Sequence, residues 1–339
     1  MRFLLTGHTG FKGSWFTLML SKLGHEIHGQ SLSPESESLY NLLRINDLVS
    51  SEEFIDIRDE DKTTEYFKTV NPDVIVHLAA QSLVSKSYEN PLESIEVNTL
   101  GTYNVLKASK FVKNLKCLLV ITTDKVYRID GRTTPYSEND SLGYTDPYGT
   151  SKALADLMTQ TWINEFPEVP VSIARAGNVI GGGDFSQNRL IPDIYRAIKN
   201  NEAIDLRHPE YIRPWQYVLD CLAGYLMQIE SSIKNKKSSI YNFGPSENDF
   251  KEVNYIVNYF KESFPQLNIK VAETHSFKET EILKLDSNLA MKSLSWKNKF
   301  NIQATLEITS NWYRKYLEKE NMQKLSEIEL NYFLSAKYW

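Results

Sequence analysis

The residues best suited to chemistry lie at two places in the sequence. At the first, Thr122-Thr123-Asp124-Lys125 directly follows an apolar run at 118–121 that indicates a buried strand. Hydroxyl, carboxyl and amine groups thus come together where that strand ends. Because doubly wound sheets hold their reactive groups at the carboxyl ends of parallel strands, we expect an active site here.

The second place is the pair Tyr148 and Lys152, on a predicted helix that begins at Asp146. Residues four apart in a helix project from one face, so the phenol and the amine are expected side by side. A tyrosine four residues before a lysine is common by chance. The pair becomes a specific signal because it follows an N-terminal nucleotide-binding turn and stands at this distance after Thr123 and Asp124.

An N-terminal glycine turn provides that nucleotide site. Gly7, Gly10 and Gly13 join an apolar run at 1–5 to a helical pattern at 14–23. Glycine accepts positive φ and lets the backbone approach a diphosphate, whose charge is stabilised at a helix N-terminus. An ordinary strand-to-helix turn is the alternative, but the position after a strand and before a helix favours a dinucleotide site.

The predicted dinucleotide is NAD. A second strand at 26–31 ends where an acidic residue normally holds the ribose hydroxyls of NAD, and Ser31 and Ser33 stand there instead. No arginine follows before Arg44, so a site for a 2′-phosphate is not evident either. In a third predicted strand at 53–58, Asp56 would accept from the adenine amino group or cap the following helix.

Strand and helix patterns alternate along the first half of the chain, which predicts an α/β fold with a doubly wound parallel (Rossmann) sheet. A fourth strand at 73–80 contains His77, which we expect to be structural, and ends in small residues. Asn98 stands among apolar neighbours in a predicted helix at 91–110. Beyond these, strands are predicted at 169–175, 239–244 and 269–272, and helices at 59–70, 217–229, 253–264, 304–316 and 322–334.

A chain of 339 residues exceeds what one core usually serves, so a second, smaller domain is expected. The glycine-dense segment at 177–183 marks the predicted crossing. Residues 1–178 with about 216–245 would form the cofactor domain, and residues 179–215 with about 246–339 a C-terminal α/β substrate domain. Isolated arginines are usually solvated, but Arg189, Arg207 and Arg213 would suit a substrate diphosphate if they converge on a cleft.

The composition is that of an ordinary soluble globular protein, with 41% hydrophobic residues, 24% charged residues and a net charge of −5. This charge gives no support for nucleic-acid binding. Cys117 and Cys221 lack metal-ligand spacing, so no metal is expected, and Cys117 is predicted to be a buried reduced thiol. Neither a signal-peptide pattern nor an apolar run of ~20 residues occurs, so we expect a cytoplasmic enzyme without a membrane partner.

Taken together, these motifs resemble those of the nucleotide-sugar 4,6-dehydratases of the extended short-chain dehydrogenase/reductase family. The resemblance covers nearly the whole chain and is strongest to the group that acts on CDP-glucose. It is carried by Thr6-Gly7-His8-Thr9-Gly10-Phe11-Lys12-Gly13-Ser14-Trp15, His77-Leu78-Ala79-Ala80-Gln81, Thr122-Thr123-Asp124-Lys125, Asp146-Pro147-Tyr148 with Lys152, the stretch from Arg175 to Asp184, Arg189-Leu190-Ile191-Pro192-Asp193, and Arg213-Pro214-Trp215-Gln216.

The resemblance implies a lyase with bound NAD that dehydrates a nucleotide-activated hexose, with CDP-glucose as the favoured substrate. C4 would be oxidised, water lost across C5 and C6, and hydride returned to C6. Tyr148, kept partly ionised by Lys152, would remove the C4 hydroxyl proton while Thr123 binds near O4. Asp124 would protonate the departing C6 hydroxyl. A homodimer or higher homo-oligomer through the helices that carry Asn98 and Tyr148 is also implied.

Lys125 separates subgroups of this family, since many members carry Glu at this position and the CDP-glucose group carries Lys. A lysine acts as a base only when neutral, so Lys125 would remove the C5 proton, orient Asp124 or bind substrate. The chain departs from the usual residues of the group at Val126-Tyr127-Arg128 and at Gln81-Ser82, which border the predicted sugar pocket.

The predicted site therefore has three parts. Its catalytic residues are Thr123, Asp124, Lys125, Tyr148 and Lys152. Its cofactor residues are Gly7, Thr9, Gly10, Phe11, Lys12, Gly13, Asp56, Ile57, Leu78, Ala79, Ala80, Asn98, Thr122, Tyr148 and Lys152. Its substrate residues are Gln81, Ser82, Asn178, Arg189, Leu190, Arg207 and Arg213.

Three other functions stay open at this point. A dehydratase of the same mechanism could act on a UDP-linked N-acetylhexosamine. A 4-epimerase would use the same Tyr148, Lys152 and NAD, although Asp124 and Lys125 argue against it because epimerisation needs no elimination catalyst. A non-catalytic NAD-binding protein is disfavoured because all four of Thr123, Asp124, Tyr148 and Lys152 are present.

Overall fold

A seven-stranded parallel sheet organises the protein. The structure is a computed structural model that describes residues 1–143, 146–271 and 280–335. The strands are β1 (Arg2–Thr6), β2 (Glu26–Gln30), β3 (Ser51–Glu53), β4 (Val74–His77), β5 (Cys117–Thr123), β6 (Val171–Ala176), β7 (Val179–Ile180), β8 (Ala203–Leu206), β9 (Ile212–Arg213), β10 (Gln216–Tyr217), β11 (Ile240–Phe243), β12 (Lys251–Glu252) and β13 (Asn268–Val271). The strand order in the central sheet is β3-β2-β1-β4-β5-β6-β11. This order is that of a doubly wound nucleotide-binding sheet and confirms the predicted fold class.

The central strands are buried on both faces, which explains their near-continuous apolar sequences. Every residue of β4, β5 and β6 is buried. In β5, Thr122 pairs with Arg175 and Thr123 with Ala176 of β6. The register therefore sets the last two threonines of β5 beside the end of β6, at the edge where the reactive groups were predicted.

Helices cover the sheet and build the C-terminal part of the chain. They are α1 (Phe11–Lys22), α2 (Leu39–Leu42), α3 (Glu60–Val70), α4 (Val84–Glu89), α5 (Pro91–Ile95), α6 (Gly101–Ser109), α7 (Pro147–Glu165), α8 (Leu190–Asn200), α9 (Val218–Asn235), α10 (Val253–Ser263), α11 (Asn288–Leu294), α12 (Ile302–Leu317) and α13 (Met322–Ser335). No helix in the described ranges is long and apolar enough to cross a membrane. Ala272, the last residue of a predicted strand, lies outside the described residues.

The predicted third strand is wrong in position. It lies at Ser51–Glu53, not at 53–58, and the side chain of Phe54 beyond it is half exposed. Asp56 accepts from the backbone nitrogen and the guanidinium of Arg58, which turns the chain out of the sheet. Ile57 is buried because a helix, not a neighbouring strand, covers it: its side chain packs against Gly101 of α6.

The predicted helix at 91–110 contains a π-helical segment at Glu96–Leu100, between α5 and α6. Asn98 lies within this segment and is buried. Such widened turns are rare and are frequent at functional sites. Here the wider turn carries an amide that three neighbouring groups share, as described below.

Small two-stranded sheets and aromatic side chains join the C-terminal elements to the central sheet. Strands β7 and β10 pair in parallel, β9 and β12 antiparallel, and β8 and β13 in parallel. The indole of Trp312 in α12 lies against Gly182, where a Cβ atom would be 2.0 Å from the ring. One hydrophobic cluster therefore runs from β1 through α8 and α9 to α12 and α13.

Candidate active site

The glycine turn leaves room only for backbone at two positions. A Cβ atom on Gly13 would lie 2.1 Å from the carbonyl oxygen of Gly7, and one on Gly7 would lie 2.7 Å from the nitrogen of Ala79. Gly7 also has φ +79°. Helix α1 begins at Phe11 without a side-chain cap, so the amides of its first turn are available to an anion. These features fit the diphosphate of a dinucleotide.

At the end of β2, hydroxyl groups occupy the place of the usual acidic residue. Thr9 Oγ1 donates to the carbonyl oxygen of Leu32 at 3.1 Å and lies 2.6 Å from Ser31 Oγ. Since the one proton of Thr9 goes to Leu32, the Ser31 hydroxyl donates to Thr9 and keeps its own lone pairs as acceptors. A ribose hydroxyl can donate to such acceptors, whereas a 2′-phosphate needs donors, so the site fits NAD.

Asp56 lies farther along the same edge and is held by protein groups. Its carboxylate accepts from Nε and Nη2 of Arg58, the latter at 2.7 Å, and these bonds lower its pKa. It does not cap α3, because Asp59 does so by accepting from the nitrogen of Lys62 at 3.1 Å. Asp56 thus remains a charged acceptor beside the buried Ile57.

Thr123 and Asp124 form a hydrogen-bonded pair where β5 ends. Thr123 Oγ1 donates to Asp124 Oδ1 at 2.9 Å, and Oδ2 is buried with no partner among the described residues. Burial raises the pKa of Asp124, against the opposing charges of Lys125, Arg213 and Lys12. A carboxyl group of this kind favours its neutral form, in which it can donate a proton.

Tyr148 and Lys152 lie on α7, whose first turn is capped by Asp146 accepting from the nitrogen of Gly149 at 2.8 Å. The Tyr148 hydroxyl is hydrogen-bonded to the side chain of Thr123, and burial raises the pKa of Tyr148 to about 12. Lys152 donates to the carbonyl oxygen of Ile121 at 2.9 Å. Burial lowers the pKa of Lys152 to about 8, and the nearby charge of Lys12 acts in the same direction.

The loop that follows β4 passes over the end of β1. The nitrogens of Leu78 and Ala79 donate to the backbone and side-chain oxygens of Thr6 at 3.0 and 3.3 Å. His77 is structural as predicted, since its ring nitrogens bond Thr6 and Thr102. Leu78 and Ala79, both predicted cofactor contacts, therefore lie directly beside the glycine turn, and Ala80 follows them in the chain.

Two predicted contact residues, Asn98 and Gln81, are engaged by the protein itself. Asn98 accepts from the nitrogen of Gln81 and donates to the Gln81 carbonyl and to Ser151 Oγ, at 2.8 to 2.9 Å. The Gln81 side chain donates to Ser94 Oγ and accepts from the nitrogen of Leu83. Both amides thus shape the loop and tie it to α7.

The predicted substrate residues fall into two groups. Arg189 donates to Ser82 Oγ at 2.8 Å and to Asp184 Oδ2 at 3.2 Å, and its charge lowers the pKa of Tyr148. Arg213 is buried and donates to backbone carbonyls, and its positive charge opposes the rise in the pKa of Asp124 that burial causes. Nearby, Leu190 opens α8 and the Asn178 carbonyl accepts from the nitrogen of Gln216.

Arg207 belongs to the other group. Burial raises the pKa of Asp193 in α8, and the positive charge of Arg207 opposes this rise. Asp193 also forms an ion pair with Arg196. The structure brings together the predicted catalytic residues, Lys12, Arg189 and Arg213.

Sequence reasoning missed a buried ion pair between Asp156 and Arg175 beneath the catalytic residues. Asp156 stands four residues after Lys152 and eight after Tyr148, so it continues the same face of α7. That spacing was the available signal for Asp156, but it does not indicate Arg175 as its partner. Thr122, a predicted cofactor residue, donates to Asp156 Oδ2 at 3.0 Å.

Comparison with known proteins places this site in a family. Residues 3–244 match the model of the NAD dependent epimerase/dehydratase family. The chain is 37% identical to the CDP-glucose 4,6-dehydratase of Salmonella typhimurium, over 99% of this chain and 96% of that protein.

Solved structures share the fold. The UDP-glucose-4-epimerase of Stenotrophomonas maltophila, with bound NAD and formylated UDP-arabinopyranose, aligns with TM-score 0.83 at 18% identity, covering 94% of this chain and 99% of that one. The dTDP-glucose 4,6-dehydratase of Bacillus anthracis in complex with NAD aligns with TM-score 0.80 at 23% identity, covering 96% and 99%. With its glycine turn, its parallel sheet and its tyrosine and lysine on α7, the chain belongs to the NAD dependent epimerase/dehydratase family.

Proposed function

We propose that the protein is an NAD-dependent hydro-lyase that converts CDP-D-glucose into CDP-4-dehydro-6-deoxy-D-glucose. The observation that carries the proposal is the buried oxygen of Asp124, which has no partner within the described ranges and lies next to the interacting pair Thr123 and Tyr148. The relatives support the same choice: identity is 37% to a CDP-glucose 4,6-dehydratase and 26% to a UDP-glucose 4-epimerase of Mycoplasma pneumoniae.

When bound, NAD would supply the oxidant for C4 and the hydride that is returned to C6; a proton is returned to C5 in the same step, so the net redox change is zero. For the first step, Tyr148 accepts the proton of the C4 hydroxyl. Thr123, whose side chain interacts with the Tyr148 hydroxyl, would hold O4. Burial raises the pKa of Tyr148, so its phenolate form depends on nearby cations: the charge of Arg189 lowers that pKa, and Lys152 on the same face of α7 would do so as well.

For the elimination, the C4 ketone acidifies the proton at C5. Removal of that proton and cleavage of the C6–O bond give a double bond and water once Asp124 supplies a proton to the leaving hydroxyl. Burial raises the pKa of Asp124, which shifts the group toward the protonated form that this step requires. Lys125 lies next to it, half-buried, where it can take the C5 proton or orient the acid.

For substrate binding, Arg189 and Arg213 would neutralise the diphosphate. Arginine suits this role because its planar guanidinium bonds phosphate oxygens in pairs. Residues 1–178 with about 216–245 would hold the cofactor, and residues 179–215 with about 246–339 the nucleotide sugar. The predicted location is the cytoplasm.

We also propose a homodimer through the face of α5, the π-helical segment and α7. Exposed leucines gather there, at Leu92, Leu100, Leu154 and Leu157. Burying such side chains against a second copy removes apolar surface from water. Light scattering is expected to give the mass of a dimer, and Leu157→Glu to give a monomer; a monomeric wild type would contradict this interface.

The test of function is product analysis with a panel of nucleotide sugars and added NAD. CDP-glucose is expected to yield a 4-keto-6-deoxy product without net NADH, and Tyr148→Phe should yield none. Turnover of a UDP-linked N-acetylhexosamine alone would assign the other dehydratase activity, and a C4 epimer would assign an epimerase.

A further inference from the structure

The short turn that carries Asp124 is attached at both ends to the same buried ion pair. On its N-terminal side, Thr122 Oγ1 donates to Asp156 Oδ2 at 3.0 Å. On its C-terminal side, the hydroxyl of Tyr127 accepts from Arg175 Nη1 at 3.0 Å. Between these two residues lie Thr123, Asp124, Lys125 and Val126, the last three in a 3₁₀ turn.

The ion pair itself is fully formed and inaccessible. Arg175 Nε and Nη2 donate to the two oxygens of Asp156, each at 2.8 Å, and both side chains are at most 1% exposed. A buried pair of this kind contributes little or nothing to stability compared with an apolar pair of the same volume. Its position beneath a reactive turn therefore indicates a role in geometry.

The Asp156–Arg175 ion pair also connects the turn to α7, the helix that carries Tyr148 and Lys152. Asp156 lies on α7, four residues beyond Lys152 and eight beyond Tyr148. Arg175 lies on β6, next to Thr122 of β5 in the sheet register. A shift of the pair would move the acid of the turn relative to the phenol of the helix.

At the C-terminal end of the turn, the hydrogen bond to the ion pair is made by the hydroxyl of Tyr127. That hydroxyl donates to Asn242 Oδ1 of β11 at 2.6 Å while it accepts from Arg175. Its ring stacks on Tyr136, with ring centroids 5.3 Å apart. Tyr127 is one of the residues at which the sequence departs from the usual pattern of its group, and its polar end faces the ion pair rather than the sugar side.

We propose that Tyr127, Arg175, Asp156 and Thr122 form a clamp that positions the Thr123–Asp124 turn against Tyr148. These four are positioning residues: they act on the reaction through Asp124, and the inference rests on the proposed dehydration. Elimination needs Asp124 at C6, whereas C4 oxidation needs Tyr148 and Thr123. The clamp therefore affects the rate of elimination more than the rate of C4 oxidation.

The test compares Tyr127→Phe with Tyr136→Phe. Both changes remove one hydroxyl from the same ring stack, but the described contacts of the Tyr136 hydroxyl are with Asp130 and not with the ion pair. We expect Tyr127→Phe to lower kcat by about 10²-fold with KM unchanged, since misplacement of a catalytic group costs rate. We also expect NADH to accumulate during turnover, because C4 oxidation continues while elimination stalls. Tyr136→Phe should do neither.

A third variant addresses the other end of the turn. Thr122→Val removes the hydroxyl that bonds Asp156, and NADH should accumulate in this variant as well. Equal kinetics for Tyr127→Phe and Tyr136→Phe, with no NADH accumulation, would overturn the clamp.

Crystal structures of the two tyrosine variants supply a readout that does not depend on substrate. Displacement of Asp124 in Tyr127→Phe alone supports the clamp, and an unmoved turn contradicts it. If wild-type protein leaves CDP-glucose unchanged, the proposed function fails, and these structures still decide the positioning role.

Discussion

The Thr123 hydroxyl donates to one carboxyl oxygen of Asp124 at 2.9 Å, and the other oxygen is buried without a partner among the described residues. Burial raises the pKa of this carboxyl and so shifts it toward the neutral form, in which the oxygen without a partner would carry the proton that is donated. The same Thr123 is bonded to Tyr148. One hydroxyl thus joins the proposed acid of the elimination to the proposed base of the oxidation.

Replacing Asp124 by Asn is expected to stop product formation while C4 oxidation continues. Removing a general acid typically costs about 10² to 10⁴-fold in rate. NADH absorbance and mass analysis of the sugar should reveal a trapped 4-keto intermediate. Asp130→Asn is the matched control, because Asp130 is a surface carboxylate paired with Arg132; unreduced turnover in Asp124→Asn would exclude the acid role.

Replacing Lys152 by Gln is expected to move the pH dependence of the reaction. The pKa of Lys152 is lowered to about 8, so its cation is present below that pH and is lost above it. The variant should be slower by about 10²-fold or more at neutral pH, and the difference should narrow as the wild type loses its cation. Pre-steady-state rates of NADH formation across pH measure this, with the exposed Lys62→Gln as control. A rate ratio that does not change with pH would contradict the electrostatic role.

Alanine substitutions at two glycines of the turn test how tightly the turn is packed, independently of cofactor binding. In Gly13→Ala the Cβ would lie 2.1 Å from the carbonyl oxygen of Gly7, whereas in Gly10→Ala the nearest atom is 3.5 Å away. Such overpacking costs about 1–3 kcal/mol. Thermal unfolding without added NAD should therefore show a lower Tm for Gly13→Ala and an unchanged Tm for Gly10→Ala. The same Tm for both variants would refute this packing.

Stability is expected to fall with rising pH because of Glu329 in the last helix. Its half-buried carboxyl accepts a hydrogen bond from the buried Tyr217, and burial raises its pKa from 4.5 to about 8. The folded state therefore holds a proton that the unfolded chain releases, and stability decreases as pH rises between these two values. Glu329→Gln should remove this contribution to the pH dependence of stability. The Tm of the variant minus the Tm of the wild type should therefore increase from about pH 5 to about pH 9. A constant difference would contradict the raised pKa.

The sequence was sufficient to predict those parts of the fold that depend on local pattern. Apolar runs predicted β4, β5 and β6 because these strands are buried on both faces. The third strand was misplaced because Ile55 and Ile57 alternate with polar residues as a strand would, although Ile57 is buried by Gly101 of α6. Burial by a distant helix leaves no local signature.

The site was predictable where spacing along one element sets geometry. Tyr148 and Lys152 share a helix face, and Thr123 and Asp124 stand at a strand end. The engagement of Asn98 by Gln81 and Ser151 was not predictable, because it depends on a π-helical segment and on three separate elements. The pairing of Asp156 with Arg175 likewise joins a helix to a strand 19 residues away.

The most direct test of the central claim follows one hydrogen through the reaction. CDP-glucose carrying deuterium at C4 is incubated with the purified protein and NAD, and the product is analysed by NMR and mass spectrometry. The account predicts a 4-keto-6-deoxy sugar whose C6 methyl group carries the deuterium. Deuterium retained at C4 of an epimer, or CDP-glucose recovered unchanged, would contradict it.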